Sequence, residues 1–171
     1  MTAADVLEVL ALLGAADVQG VLDGGWGIDA LARTKTRPHA DLDLAIDRTR
    51  LGDATRALSA AGYAHDPTAV PGLPARYAMR DQGGRQVDLH LLTFDEYGNG
   101  WQQLSDAGAW GLYPVGERVT GAVGDVEVAC ISAELQHRFH LGWEWDEKAK
   151  HDMRLLHERF ATPLPPDYAA N

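Results

Sequence analysis

Asp23-Gly24-Gly25-Trp26-Gly27-Ile28-Asp29-Ala30, followed after a basic loop by His39-Ala40-Asp41-Leu42-Asp43-Leu44-Ala45-Ile46-Asp47, is the stretch on which the reading of this chain turns. Residues 19–22 read as a short strand that runs into the Asp23-Gly24-Gly25 turn. Trp26, Ile28, Ala30, Leu31 and Ala32 then resume helical spacing as far as the polar loop at residues 33–38. The unit is strand, glycine turn, helix. In the next segment Leu42, Leu44 and Ile46 alternate with Asp41 and Asp43. Strand period two therefore sets both carboxylates on one face.

Working outward, Val6, Val9, Leu10 and Leu13 predict an amphipathic helix over residues 3–16, with Asp5 suited to its positive end. A helix over 49–61 carries Leu51, Ala54 and Leu58 and breaks at Gly62. Residues 64–74, with three prolines, read as loop. Two strands over 75–80 and 85–92 flank Asp81-Gln82-Gly83-Gly84 as a hairpin, and residues 117–121 and 127–131 form a second one around Gly124-Asp125. Residues 96–116 follow neither period. Leu135, Phe139 and Trp143, then Ala149, Met153, Leu156 and Phe160, mark two closing helices, the last starting at Asp146; the tail at 162–166 reads as extended. The expected architecture is α+β: a mixed sheet flanked by helices over residues 1–95, and a smaller C-terminal lobe over 96–171 holding the second hairpin and the terminal helices.

The 171 residues carry 25 Asp and Glu against 15 Lys and Arg, a formal charge of −10, with 46% hydrophobic content. That is enough apolar material for a core without disulfides. The cation deficit argues against a nucleic-acid partner, since such binding rests on Lys and Arg displacing counterions. A lone Cys130 excludes an internal disulfide and a four-cysteine zinc site. No apolar run approaches the ~18–20 residues of a membrane helix, and the first residues lack the basic start of a signal peptide. The expectation is a cytoplasmic protein without membrane contact.

The chemistry concentrates in Gly24-Gly25, Asp41-x-Asp43 and Asp88. Two same-face carboxylates two residues apart can share a hard divalent cation, Mg²⁺ above all, which prefers oxygen ligands at roughly 2.0–2.1 Å and leaves positions open for phosphate. Asp88 alternates with Val87 and Leu89 on a neighbouring strand and is placed to face the same site. Glycines without Cβ let backbone N–H groups approach phosphate oxygens at a helix N-terminus.

These residues resemble the polymerase-β-type nucleotidyltransferases that adenylylate antibiotics, most nearly the small lincosamide nucleotidyltransferases and, beside them, the aminoglycoside 2″-adenylyltransferases. The likeness runs from about residue 5 to 158, through Val87-Asp88-Leu89-His90, Cys130-Ile131-Ser132, Phe139-His140-x-Gly142 and His151-Asp152. It implies a nucleotidyltransferase fold and Mg²⁺-dependent transfer of AMP from ATP to a hydroxyl of a small antibiotic, with a lincosamide ahead of an aminoglycoside as acceptor. Gly24 and Gly25 would hold the triphosphate, Asp41 and Asp43 the metal, and Asp88 would complete the metal site and act as general base. The partners so implied are a nucleoside triphosphate and an antibiotic; a homodimer is a further candidate that the resemblance does not decide.

Other residues carry two readings each. His39 either touches phosphate or a carboxylate, or faces solvent at its loop end. Arg37 and Lys35 either reach the triphosphate or belong to a solvated loop. His90 either tunes Asp88 or the acceptor site, or packs at its strand end. Lys148 and Lys150 either reach phosphate or pair with Glu144, Asp146 and Glu147 on the helix surface. His137, His140, His151 and His157 lack zinc-ligand spacing. Trp101, Trp110, Trp143 and Trp145 read as core or interface, with the 96–116 stretch able to line an acceptor pocket. Against the antibiotic-modifying enzyme stand another enzyme, a toxin–antitoxin-type nucleotidyltransferase, whose shorter Gly-Ser motif is replaced here by Gly-Gly-Trp, and a non-catalytic nucleotide-binding domain, which would have lost a carboxylate.

Overall fold

The computed structural model describes residues 1–141 and 146–164. Helix α1 (Ala3–Ala15) starts where Thr2 and Asp5 cap each other, the Thr2 N–H donating to the Asp5 carboxylate at 2.7 Å and the Asp5 N–H to the Thr2 hydroxyl at 3.2 Å. Strand β1 (Val21–Asp23) passes directly into α2 (Gly24–Ala32). The glycine pair is thus the first turn of the helix, not a turn ahead of it, and β1 begins two residues later than residue 19. The cause is local: the Asp23 carboxylate caps the Gly24 N–H at 2.7 Å.

Strand β2 (Asp41–Asp47) and α3 (Leu51–Ala60) follow, then β3 (Ala64–His65) inside the expected loop, and the hairpin of β4 (Tyr77–Arg80) and β5 (Gln86–Phe94). Residues 96–116 hold a further hairpin, β6 (Gly100–Gln103) and β7 (Trp110–Tyr113). Its signal is inverted, because Trp101, Trp110 and Leu112 point outward while Gln102 points inward. These two tryptophans are half exposed and lie outside the core. β8 (Arg118–Val123), β9 (Val126–Ile131), α4 (Ala133–His140) and α5 (Glu147–Phe160) complete the order. Asp146 caps α5 as expected, its carboxylate accepting from the Ala149 N–H. Gly142, Trp143, Glu144, Trp145, Pro165 and Pro166, used in the sequence reading, lie outside the described residues.

The nine strands found among the described residues form one mixed sheet in the order β3-β4-β5-β2-β1-β9-β8, with β6 added to β5 and β7 to β6. β2 runs parallel to β5, and β9 parallel to β1 through the Leu22–Cys130 pair. The second hairpin therefore continues the sheet of the N-terminal half, and residue 95 marks no break in it. One face carries Leu22, Leu42, Leu44, Ile46, Val87, Leu89 and Leu91 against α1 and α3. Each such buried side chain contributes about 1.5–3 kcal/mol, and a one-residue slip would carry the intervening aspartates into this core, so the register is fixed. Over the other face lie α2, α4 and α5, joined through Ile28, Met153 and Leu156. No described helix is long and apolar enough to cross a membrane.

Candidate active site

The register places Asp23 opposite Asp43 and Asp43 opposite Asp88, so three carboxylates lie side by side on adjacent strands, on the face away from the main core. Adjacent strands are about 4.8 Å apart. Asp41 stands two residues before Asp43 on the same face, opposite Gln86, and His90 follows opposite Ala45. Asp41, Asp43 and Asp88 are thus on one face, as their spacing implied.

Both glycines are required by side chains that arrive from β2 and the loop before it. Gly24 has φ +55°, and a Cβ there would run into the Asp43 carboxylate. A Cβ on Gly25 would come within 2.5 Å of Arg37 Nη2 and His39 Nδ1. The Gly24 N–H is given to Asp23, while its carbonyl faces the Gln136 side-chain amide at 3.4 Å. The next amides of the first turn of α2 keep the helix-terminal character that suits an anion.

Asp88 is fully buried. Both of its oxygens accept from Gln86 Nε2, at 2.9 and 2.8 Å, and Oδ2 also accepts from Arg76 Nη1 at 2.5 Å. Burial pushes its carboxyl up to about 6; Gln86 and Arg76 pull against that, and Asp43 and Asp41 add to it. His90 lies between two carboxylates, with Nδ1 3.2 Å from Asp23 Oδ2 and Nε2 3.4 Å from Asp43 Oδ1. Burial works against its charged form, but hydrogen bonds and charge from these aspartates raise it to about 10. Tyr113 donates to Asp23 at 2.7 Å and lies 3.0 Å from Gln102 Oε1. Burial and Asp23 lift its phenol well above its ordinary value. The sequence reading assigned no role to Asp23, Arg76, Gln86, Gln102 or Tyr113. Asp23 stood inside the quoted motif; Gln102 and Tyr113 lay in the stretch whose period was inverted.

Arg37 and His39 sit in a buried cross-link beside this row. Arg37 Nε and Nη2 bind both oxygens of Asp152 on α5, at 2.7 and 2.5 Å, and Nη1 lies 3.0 Å from His39 Nδ1. Because that nitrogen accepts, His39 Nε2 carries the proton shared with Asp29. Burial opposes the Arg37 charge, yet Asp152 raises its affinity for the proton. Neither residue belongs to a solvated loop. Lys150 pairs with Glu147 at 2.8 Å on the surface of α5, the helix-surface alternative.

Among the described residues no three His, Cys, Asp or Glu side chains already converge as a metal cage. Asp88 is taken up by Arg76 and Gln86. Asp41 and Asp43 do fit Mg²⁺: they offer hard oxygens on one open face, Gly24 leaves room for the Asp43 carboxylate, and Mg²⁺ is commonly held by one or two carboxylates together with substrate phosphates.

Comparison with known proteins gives the family and the fold. The sequence model of the aminoglycoside-2″-adenylyltransferase family matches residues 5–156. A lincosamide resistance protein of Staphylococcus haemolyticus is 26% identical over 156 residues, covering 91% of this chain and 94% of its own. The crystal structure of the lincosamide antibiotic adenylyltransferase LnuA with lincomycin bound superimposes with a TM-score of 0.79 at 26% identity, over 91% of this chain and 96% of that one. The crystal structure of ANT(2″)-Ia in complex with adenylyl-2″-tobramycin gives 0.70 at 19% identity, over 91% and 87%, and so shares the fold.

Proposed function

This chain belongs to the aminoglycoside-2″-adenylyltransferase family, and from that premise we propose that it transfers AMP from MgATP to a hydroxyl of a small antibiotic, a lincosamide first. The observation that carries the reading is the Asp23–Asp43–Asp88 row, with Asp41 beside it and the first turn of a helix at its end.

Asp41 and Asp43 would hold Mg²⁺, which when bound neutralises the triphosphate. The amides at the start of α2 receive phosphate oxygens. The acceptor oxygen attacks the α-phosphorus, a new P–O bond forms as the bond to pyrophosphate breaks, and the hydroxyl proton passes to Asp88. A carboxyl raised to about 6 is ionised at neutral pH yet a stronger base than an ordinary aspartate. Tyr113 and His90 hold Asp23, and His90 also faces Asp43. Residues 1–95 supply the donor side and residues 96–171 the acceptor side.

The lincosamide choice rests on the 26% identity to the lincosamide relatives over nearly their whole length. An aminoglycoside acceptor is the second reading, favoured by the net charge of −10, which suits a polycation. Incubation with MgATP and lincomycin, clindamycin, kanamycin or tobramycin, followed by mass spectrometry, decides between them. A single AMP added to a lincosamide supports the first reading; an adduct confined to the aminoglycosides selects the second; no adduct on any of the four sinks both.

A further inference from the structure

A general base must come within hydrogen-bonding reach of the hydroxyl it serves, yet Asp88 has no exposed surface. Its carboxylate is hydrogen-bonded to Gln86 and Arg76. Gln86 belongs to the same strand and is itself gripped through Oε1 by Arg80. Arg76 comes from the segment ahead of β4, and every nitrogen of its guanidinium is engaged: Nη1 donates to Asp88 at 2.5 Å, Nε to the Pro71 carbonyl at 2.8 Å and Nη2 to the Val70 carbonyl at 2.7 Å. One further polar tie, from Gln102 Nε2 to the Ala75 carbonyl at 2.7 Å, fastens the end of the loop. Its larger apolar side chains do not hold it down, since Val70 is 85% and Leu73 56% exposed; only the small Ala75, at its end, is buried. A segment fastened by a few polar contacts and little burial opens at low cost.

We propose that Arg76 latches residues 70–76 over Asp88 and that the ammonium group of a cationic acceptor takes the place of the guanidinium when the acceptor binds. Asp41 and Asp43 lie close enough to Asp88 to oppose its charge. Withdrawing Arg76 alone would leave the buried Asp88 carboxylate without its cation and beside the negative charge of Asp43 and Asp41. Release is therefore coupled to the arrival of another cation, and the lincosamide and aminoglycoside classes both bring one as an amine. Arg76 is a positioning residue: it governs access to the base and selects for acceptors bearing an amine near the reacting hydroxyl. The inference rests on the reading of Asp88 as base.

The test is hydrogen–deuterium exchange of the peptide spanning residues 68–77, in the full chain and without nucleotide. The expected result is exchange about fivefold faster in Arg76→Gln than in the wild type, with β5 unchanged as a control for folding. Lincomycin or kanamycin should speed wild-type exchange toward that of the variant, whereas N-acetylated kanamycin should not. In steady-state assays Arg76→Gln should lower the acceptor KM about fivefold and leave the ATP KM alone, with Arg76→Lys, which keeps the charge but not the three-way hydrogen bonding, between the two. Equal exchange in wild type and Arg76→Gln, opening by MgCl₂ alone, or a rise in both KM values would overturn the latch. Opening by kanamycin without any AMP adduct would leave the latch standing and overturn the proposed reaction instead.

Discussion

The carboxylate of Asp43 occupies the space that a side chain on Gly24 would fill. The start of α2 and the middle of β2 are in this sense one unit: the helix can begin where it does only because the residue beside Asp43 has no Cβ, and Gly24 also takes a positive φ that disfavours other residues. Gly24→Ala should displace Asp43 and lower kcat/KM about 100-fold, the scale of an ångström-sized misplacement. Its backbone strain should cost about 1–2 kcal/mol in a urea melt. Near-wild-type kinetics would separate the glycine from the site.

Asp41→Asn and Asp43→Asn each remove a hard anionic oxygen from the proposed Mg²⁺ pair. Loss of several kcal/mol of charge stabilisation corresponds to a fall of roughly 10³-fold in kcat. Circular dichroism should be unchanged, because Asp41 and Asp43 lie on the face of β2 away from the main core. An active Asp43→Asn enzyme would contradict the metal role.

Asp88→Asn should separate stability from activity. The native carboxyl titrates near 6 against an ordinary 3.8, so between those values the folded protein holds a proton that the unfolded chain has released. The sign follows: ionising Asp88 costs stability, the cost growing as pH rises from about 4 to 6 and then levelling at about 3 kcal/mol. In EDTA at pH 7 the Asn variant should melt above the wild type, and the gap should close below pH 4. Activity with MgATP should fall 10²- to 10⁴-fold.

Arg37→Ala would strand the Asp152 carboxylate, which is almost fully buried. Breaking a buried pair by removing one partner typically costs about 3–5 kcal/mol. His140, 3.9 Å from Asp152, keeps the value here at the lower end. Lys should not restore the loss, since it lacks the planar fork that binds both carboxylate oxygens. Urea titration of the three proteins measures it.

Cys130 is buried in the main core, and burial pushes its thiol up to about 11. The folded protein at pH 7.5 should resist Ellman's reagent and iodoacetamide and take up one equivalent in denaturant. Rapid labelling of the native chain would show that the β1–β9 junction opens readily.

Much of the site was legible because a buried sheet enforces period two. Leu42, Leu44 and Ile46 announced which way Asp41 and Asp43 face, and Val87 and Leu89 did the same for Asp88. What one segment cannot reveal is the partner across the fold. Arg37 and His39 read as loop residues because Asp152 and Asp29, which hold them, lie far along the chain or inside a helix. Tyr113 and Gln102 escaped notice because their hairpin turns its polar side inward. Arg76 stood at the edge of a proline-rich stretch, and nothing in the local pattern shows that its guanidinium reaches Asp88.

Strand β1, only three residues long, is flanked by β2 on one side and by β9 on the other. During synthesis the first of these neighbours leaves the ribosome soon after β1, whereas the second follows roughly a hundred residues later. Until then the edge of β1 that precedes the glycine turn has no permanent strand beside it, and Asp152 has yet to reach Arg37. A nascent chain halted at residue 95 would hold the acidic triplet but not the frame that stiffens it. Competence should therefore arrive late and all at once, when the last third of the polypeptide closes the sheet around its own beginning.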